Sequence, residues 1–142
     1  MRLKMKDSRS NKFNAVARTV DGIRFDSTAE SRRYMELKLM QAAGEITGLT
    51  CHPQFELIPG AVIDGQKIQG IKYTADFAYI EHGTFIVEDV KGDPTRDYEL
   101  RRKMMLLLRG IKVREIDAET LKEREWTKSR RRKRIKKECL TT

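Results

Sequence analysis

The segment Thr84–Lys91, with the sequence TFIVEDVK, constrains the fold more than any other part of the chain. Its apolar residues predict a largely buried strand, yet it also carries three charged side chains, which are costly to bury without compensation. Asp89 and Lys91 are two positions apart and therefore share one face of the strand, whereas Glu88 points to the other. The sequence predicts that one carboxylate and one ammonium emerge side by side at the end of a central strand.

A second carboxylate lies in the preceding apolar run. Residues 71–80 have the pattern of a strand, and a tight turn at residues 81–83 (EHG) joins it to the strand Thr84–Lys91 as a hairpin. Asp76 is then expected on the strand beside Asp89. Two converging carboxylates suit Mg²⁺, which prefers oxygen ligands, and Mn²⁺ is expected to substitute for it. Such a metal neutralises charge on a scissile phosphate and helps to form a hydroxide nucleophile.

The whole pattern predicts an α/β domain, with a small mixed β-sheet flanked by helices in the order αβββαβ. Ser27 and Glu30 fit a capping box that begins the first helix, and Gly44 ends it. Turns are predicted at Asp21-Gly22 and Asp64-Gly65, and strands over Leu49–Ile58 and Ile111–Ile116. A second helix is predicted between them, capped by Asp93, with Pro94 in its first position and its end at Gly110. The last predicted element is a segment of helical composition over Ala118–Lys137.

The net charge of +9 is concentrated at the two ends of the chain. Residues 1–24 carry seven Lys/Arg against two Asp, and residues 120–142 carry ten against three Glu. Basic ends indicate a polyanionic partner, because each phosphate that is neutralised releases a counterion. We therefore predict a basic arm (1–24), a catalytic core (25–117) and a basic C-terminal helix or tail (118–142). The DNA-binding residues are expected to be Arg130, Arg131, Arg132, Lys133, Arg134, Lys136 and Lys137.

Length and composition exclude several other classes of protein. A chain of 142 residues with 39% hydrophobic and 36% charged residues has room for one domain with a modest core. It contains no apolar run of the roughly 20 residues that a membrane span needs and no signal-peptide pattern, which predicts a cytoplasmic protein without a membrane partner. Cys51 and Cys139 lack CxxC spacing, so neither a zinc site nor a disulfide framework is expected.

Asp76, followed 13 residues later by Asp89-Val90-Lys91, resembles the signature of the PD-(D/E)XK nuclease superfamily. The fold of that superfamily, a helix, a three-strand meander, a helix and a further strand, has the same order as the elements predicted above. An acidic residue of the first helix often joins the site, which implies that Glu30 is a third metal ligand beside the two aspartates. Residues 74–75 are Thr-Ala where the superfamily motif has a proline, at a position that varies widely.

The runs DGIRFDSTAES, PQFELIPG, IKYTADFAYI and VEDVKG resemble, more specifically, a family of small phage and prophage proteins assigned to this superfamily. The resemblance spans most of the chain and implies a Mg²⁺-dependent DNA endonuclease that works in the cytoplasm of a bacterial host. It further suggests similarity to phage Holliday-junction resolving enzymes, which act on branched DNA in recombination. A junction resolvase needs two sites that act together, and hence a homodimer.

Several candidate residues have competing interpretations. Glu30 is explained equally by helix capping, and Asp76 or Asp89 with Lys91 by a structural ion pair. Lys91 is expected to orient or activate the attacking water, or to stabilise the pentavalent phosphorus. Glu88 is expected to support a neighbour or to face solvent, with a metal role as the less favoured alternative. Gln54 is a candidate for positioning the catalytic water, or is simply a polar residue on a strand face.

Two further functions compete with the nuclease. A non-catalytic DNA-binding protein would use the basic arms alone, but it has no reason to place two aspartates beneath a phosphate. An RNA-binding module is disfavoured because no RNP-like aromatic motif is present. Tyr73 and Trp126 are expected to pack in the core rather than to stack on bases.

Overall fold

Three β-hairpins close on two-residue turns whose backbones are both left-handed. The turns are Asp21-Gly22, Asp64-Gly65 and His82-Gly83, and every one of these residues has a φ between 49° and 76°. Such turns match the right-handed twist of paired strands, and a second-position glycine adopts the required backbone without steric cost. The turns predicted at all three places are confirmed. The computed structural model describes residues 16–129.

The elements follow one another as β1 (Arg18–Val20), β2 (Ile23–Phe25), α1 (Thr28–Ala42), β3 (Ile46–Cys51), β4 (Gln54–Ile58), β5 (Ala61–Ile63), β6 (Gln66–Ile68), β7 (Ile71–Thr74), β8 (Phe77–Glu81), β9 (Thr84–Lys91), α2 (Arg96–Arg109), β10 (Arg114–Asp117) and β11 (Glu123–Arg124). The central sheet has the order β11-β10-β9-β8-β3. Only its β9–β10 pair is parallel, and α2 forms the crossover between these two strands. The predicted α/β fold with a small mixed sheet is confirmed.

The two faces of β9 bury different cores. Val90 packs with α1 residues such as Leu37 in one cluster, and Val87 packs with α2 residues such as Met105 in the other. Consecutive side chains of a strand point to opposite faces, so the odd-numbered residues of β9 face α2 and the even-numbered ones face α1. The strand predicted from TFIVEDVK is confirmed at its bounds and is buried on both faces towards its C-terminal end.

Two predicted strands are each divided by a bend. The predicted strand Leu49–Ile58 is β3 and β4, which separate at His52-Pro53, and the predicted strand 71–80 is β7 and β8, which separate at residues 75–76. His52 has a left-handed backbone (φ 52°), and Pro53 has no N–H to donate. Two hydrogen bonds hold the bends together, from His52 N to the Asp76 carbonyl (2.9 Å) and from Ala75 N to the Pro53 carbonyl (3.0 Å).

Other boundaries correct the prediction. Thr95, not Asp93, caps α2, with its hydroxyl accepting from Tyr98 N. The last predicted strand, Ile111–Ile116, begins later, at Arg114. The predicted helix over Ala118–Lys137 is wrong for its described part, because residues 118–129 contain a turn and the short strand β11 instead. Residues 130–137 lie outside the described part of the chain.

Candidate active site

The carboxylates of Asp76 and Asp89 are held by reciprocal hydrogen bonds between neighbouring strands. Phe77 pairs with Glu88 in the β8–β9 register, which sets Asp76 opposite Asp89. The Asp76 N–H donates to Asp89 Oδ1 (3.0 Å), and the Val90 N–H donates to Asp76 Oδ2 (2.8 Å). Each side chain therefore accepts a backbone hydrogen bond from the opposite strand. The predicted juxtaposition of the two aspartates is confirmed.

Burial leaves this pair of carboxylates short of partners. Asp89 is only 1% exposed, and its Oδ2 accepts no hydrogen bond from the described residues. Burial raises the pKa of Asp89 to about 7, although Lys91 and the Asp76 N–H lower it. Burial also raises the pKa of Asp76, against the opposing effects of Lys91 and the Val90 N–H. Both acids thus resist ionisation unless another positive charge joins them.

Lys91 is the cation nearest to this centre. Burial by itself would lower the pKa of its ammonium, but the charges of Asp89, Asp76 and Glu30 outweigh burial and raise it. Lys91 Nζ lies 4.7 Å from the centre of the Tyr98 ring, in a cation–π contact. Among residues 16–129 it makes no ion pair within 4 Å. The ammonium is therefore attracted by several carboxylates but forms a close ion pair with none of those described.

Glu30 joins the site from the first turn of α1. Ser27 caps this helix, and its hydroxyl accepts from the Glu30 N–H (3.1 Å), so the predicted start of the helix is confirmed. The Glu30 carboxyl has its pKa raised first by burial and then by the charges of Asp76 and Asp26. The Glu30 carboxyl also accepts a hydrogen bond from the Asp26 backbone at the start of the helix, so the same side chain reaches back to the helix start and adds its charge to that of Asp76.

Glu88 lies on the opposite face of β9 and belongs to a different cluster. It is completely buried, and both of its oxygens accept from the Arg33 guanidinium (2.7 and 3.0 Å). The Tyr79 hydroxyl donates a further short hydrogen bond of 2.5 Å to it. Its charge is compensated by an α1 side chain, which ties the first helix to the central strand. The prediction that Glu88 supports a neighbour is confirmed.

Three other predicted residues, Gln54, Tyr73 and Trp126, form no described hydrogen bond with the carboxylates of Asp76 and Asp89. Gln54 is exposed at the start of β4, opposite Thr74, and no hydrogen bond joins its side chain to Asp76 or Asp89. Tyr73 is buried, and Trp126 donates from Nε1 to the Val113 carbonyl (2.7 Å), so both pack as predicted. The seven predicted DNA-binding residues, Arg130, Arg131, Arg132, Lys133, Arg134, Lys136 and Lys137, lie outside the described residues.

Sequence reasoning missed Glu115, a buried residue beside the site whose carboxylate accepts several hydrogen bonds. It pairs with Asp89 in the parallel β9–β10 ladder and accepts from the Tyr98 hydroxyl (3.0 Å), Arg102 (2.7 Å) and Arg124 (2.8 Å). Its fully buried carboxylate is thus compensated by two guanidinium groups, and it fixes the ring against which Lys91 lies. The sequence did carry a signal for it, because Glu115 is the one acidic residue in the alternating run IKVREI. An acidic residue within a predicted strand also drew attention to Asp89.

The charges at the Asp76–Asp89–Lys91 centre fit a divalent cation. Three carboxyls, including that of Glu30, face one ammonium, and ionisation of all three leaves an excess of two negative charges. Asp89 Oδ2 accepts no hydrogen bond from the described residues, and an acceptor oxygen of this kind suits a hard cation with oxygen ligands. Among the described residues no three Asp, Glu, His or Cys side chains are preassembled as a metal cage. Mg²⁺ does not require one, since it keeps several waters and uses one or two carboxylates.

Fold and site together define a small α/β protein with a desolvated carboxylate–lysine centre at the C-terminal end of the middle strand of a mixed sheet. The chain belongs to the family described as "Protein of unknown function (DUF1064)", whose model matches residues 10–124. No curated protein matches the sequence. Protein VC1899 from Vibrio cholerae is similar in structure, with a TM-score of 0.43 and 16% identity over 87% of this chain and 33% of that one. The chain thus spans about a third of that protein. Within residues 16–129, neither helix is long and apolar enough to cross a membrane.

Proposed function

We propose that this protein is a divalent-metal-dependent DNA endonuclease of the PD-(D/E)XK type, which hydrolyses phosphodiester bonds. The observation that carries the proposal is the desolvated cluster of three carboxyls around Lys91, with an unpartnered oxygen on Asp89. Acids whose pKa values are raised by burial, next to a lysine that no single acid neutralises, are typical of functional sites. A purely structural arrangement would pair these charges, as the Glu88–Arg33 contact does.

Each residue of the centre has a distinct part in the proposal. Asp76 and Asp89 hold Mg²⁺ or Mn²⁺, and Glu30 contributes the third carboxyl. When bound, such an ion polarises a phosphoryl oxygen and lowers the pKa of a bound water. In the metal-free protein the charges of Asp89, Asp76 and Glu30 raise the pKa of Lys91, and its ammonium would donate to the phosphate or to the attacking water. The Tyr98 ring holds the ammonium in place.

The finer parts of the proposal rest on charge and size. Basic ends on a small core favour contacts to the DNA backbone and recognition of shape over base reading. We therefore propose branched DNA, such as a Holliday junction, as the substrate, a homodimer as the active form, and a role for a phage-encoded enzyme in recombination in the host cytoplasm. A non-catalytic DNA-binding protein is the alternative.

One assay separates these functions. Purified protein with Mg²⁺ or Mn²⁺ is incubated with matched linear duplex, single-stranded, flap and four-way DNA. We expect cleavage of at least one substrate, abolished by chelation and by Asp89→Asn, with Lys67→Gln as an exposed single-charge control on β6. Binding of all substrates without cleavage in either metal would refute the nuclease and leave the DNA-binding alternative.

A further inference from the structure

A basic groove runs between α2 and the segment that follows β11. Its volume is about 380 Å³, and its lining includes Arg96, Leu100, Arg102, Lys103, Trp126 and Lys128. Arg96 and Lys103 are seven positions apart on α2, so they share one helix face about 10 Å apart along the axis. Lys128 faces them from the other wall. Three cations therefore border one depression.

The cations of the groove are available for an external anion. Arg96, Lys103 and Lys128 are exposed, and none forms an ion pair within 4 Å with a carboxylate of the described residues. Arg102 is buried and already neutralised by Glu115 at 2.7 Å. Glu99, the acidic residue of the groove, is itself buried and accepts from the Ser129 N–H. Among the described residues Glu99 is the one acid that lines the groove, and Arg96, Lys103 and Lys128 outnumber it, so the lining keeps a net positive charge.

The ring of Tyr98 lies between the candidate active site and the groove. The Tyr98 ring lies 4.7 Å from Lys91 Nζ and 5.2 Å from the Arg102 guanidinium carbon. Arg102 in turn lies 4.9 Å from the Trp126 ring. This chain of contacts connects the ammonium of the site with the floor of the groove.

The segment that forms the second wall is firmly attached. The Arg102 guanidinium donates to the Thr127 carbonyl (2.5 Å), Thr127 N donates to Glu115 (3.2 Å) and the Ser129 N–H donates to Glu99 (2.5 Å). These three hydrogen bonds fix the second wall of the groove up to Ser129.

We propose that this groove binds the phosphate backbone of DNA flanking the bond that is cut. The inference rests on the proposed nuclease function and assigns its DNA path to Arg96, Lys103 and Lys128. Charge complementarity selects the occupant, because phosphates match a row of cations that form no ion pair with the described carboxylates. Leu100, which is 54% exposed, and the Trp126 edge offer apolar contact to sugars.

The test measures binding of a short fluorescein-labelled DNA duplex to the full chain in EDTA, across a series of salt concentrations. The triple variant R96Q/K103Q/K128Q removes three charges from the groove. The matched variant R24Q/K67Q/R109Q removes three exposed charges that do not line it. We expect the groove variant to bind about tenfold more weakly or worse, with a salt slope shallower by about two to three, and the matched variant to bind like the wild type.

Two results would overturn the groove. One is an equal loss of DNA affinity in both triple variants, which would show that binding depends on the overall charge of the protein rather than on this groove. The other is displacement of DNA by polyglutamate at the same charge concentration as by unlabelled DNA, which would assign the groove to acidic proteins. Binding in EDTA does not depend on catalysis. If the protein binds DNA as expected but never cuts it, the nuclease function alone is refuted. If the protein cuts DNA and the groove variant has an unchanged salt slope, the groove alone is refuted.

Discussion

Asp89→Asn is expected to change protein stability in opposite directions at high and low pH. Burial raises the pKa of this carboxyl from an ordinary value of 3.8 to about 7. A raised acid pKa means that the folded state binds the proton more tightly, so the stability that protonation provides is present below about pH 4 and is lost as pH rises through 7. In metal-free protein at pH 8, ionised Asp89 therefore costs at most about 4 kcal/mol.

The substitution removes that cost but adds a smaller one. The carbonyl oxygen of the new amide side chain retains the hydrogen bond from the Asp76 N–H, whereas its NH₂ group takes the place of Asp89 Oδ2, which has no partner among the described residues. A buried donor without a partner costs about 1–3 kcal/mol. The variant should thus gain about 1–3 kcal/mol at pH 8 without metal. At pH 3, where the wild-type carboxyl is protonated in the folded and the unfolded state alike, it should lose about 1–3 kcal/mol.

Urea denaturation in EDTA at both pH values measures these differences. Other titrating groups, such as Asp117, are the same in both proteins, so their contributions cancel. Mg²⁺ at pH 8 should stabilise the wild type and leave the variant unchanged. A structural ion pair with Lys91 predicts instead a loss of about 3–5 kcal/mol at pH 8. That result, with no effect of Mg²⁺ on the wild type, would refute the metal-centre reasoning.

Three further substitutions test other parts of the structure. Asp76→Asn should lower the cleavage rate by about 10²-fold or more while DNA binding in EDTA holds or tightens, and rates that stay near wild type would remove Asp76 from the site. Glu88→Gln should destabilise the protein by about 1–3 kcal/mol at neutral pH, because in the described part of the chain it leaves the half-buried Arg33 guanidinium with Glu36 as its remaining carboxylate partner; a melting curve like that of the wild type would contradict this. Truncation after Ser129 removes seven Lys/Arg and one Glu. It should make the salt slope of DNA binding shallower, while cleavage at saturating protein persists. An unchanged salt slope would show that the tail takes no part in binding.

The hairpin of β8 and β9 could be predicted because its signals are local. Apolar alternation and a His-Gly turn determine which residues pair, and pairing by itself sets Asp76 opposite Asp89. The same holds for Ser27, whose capping role depends on residues within one helical turn. These are the parts of the site that the sequence specifies over short distances.

Features that depend on distant contacts were not predictable. The bend at His52-Pro53 interrupts a run whose apolar pattern continues through it, and it exists because Asp76 and Ala75 supply its hydrogen bonds. The segment around Thr127 has helical composition, but buried Glu115 holds it in an extended path. The strands β5 and β6 were missed for a different reason, since all their residues are exposed and carry no alternating pattern.

The His82-Gly83 turn has a consequence for the far end of the hairpin. It joins Glu81 to Thr84 with two left-handed residues, which fixes every pair from there to the aspartates. The distance is five residues along β8, or about 17 Å. A slip of one residue turns each side chain of a strand to the opposite face. If an added turn residue shifted the register, Asp89 would lose its place opposite Asp76 to a neighbour in sequence. An exposed turn at the opposite end of the sheet thus helps to determine which acids meet at this centre.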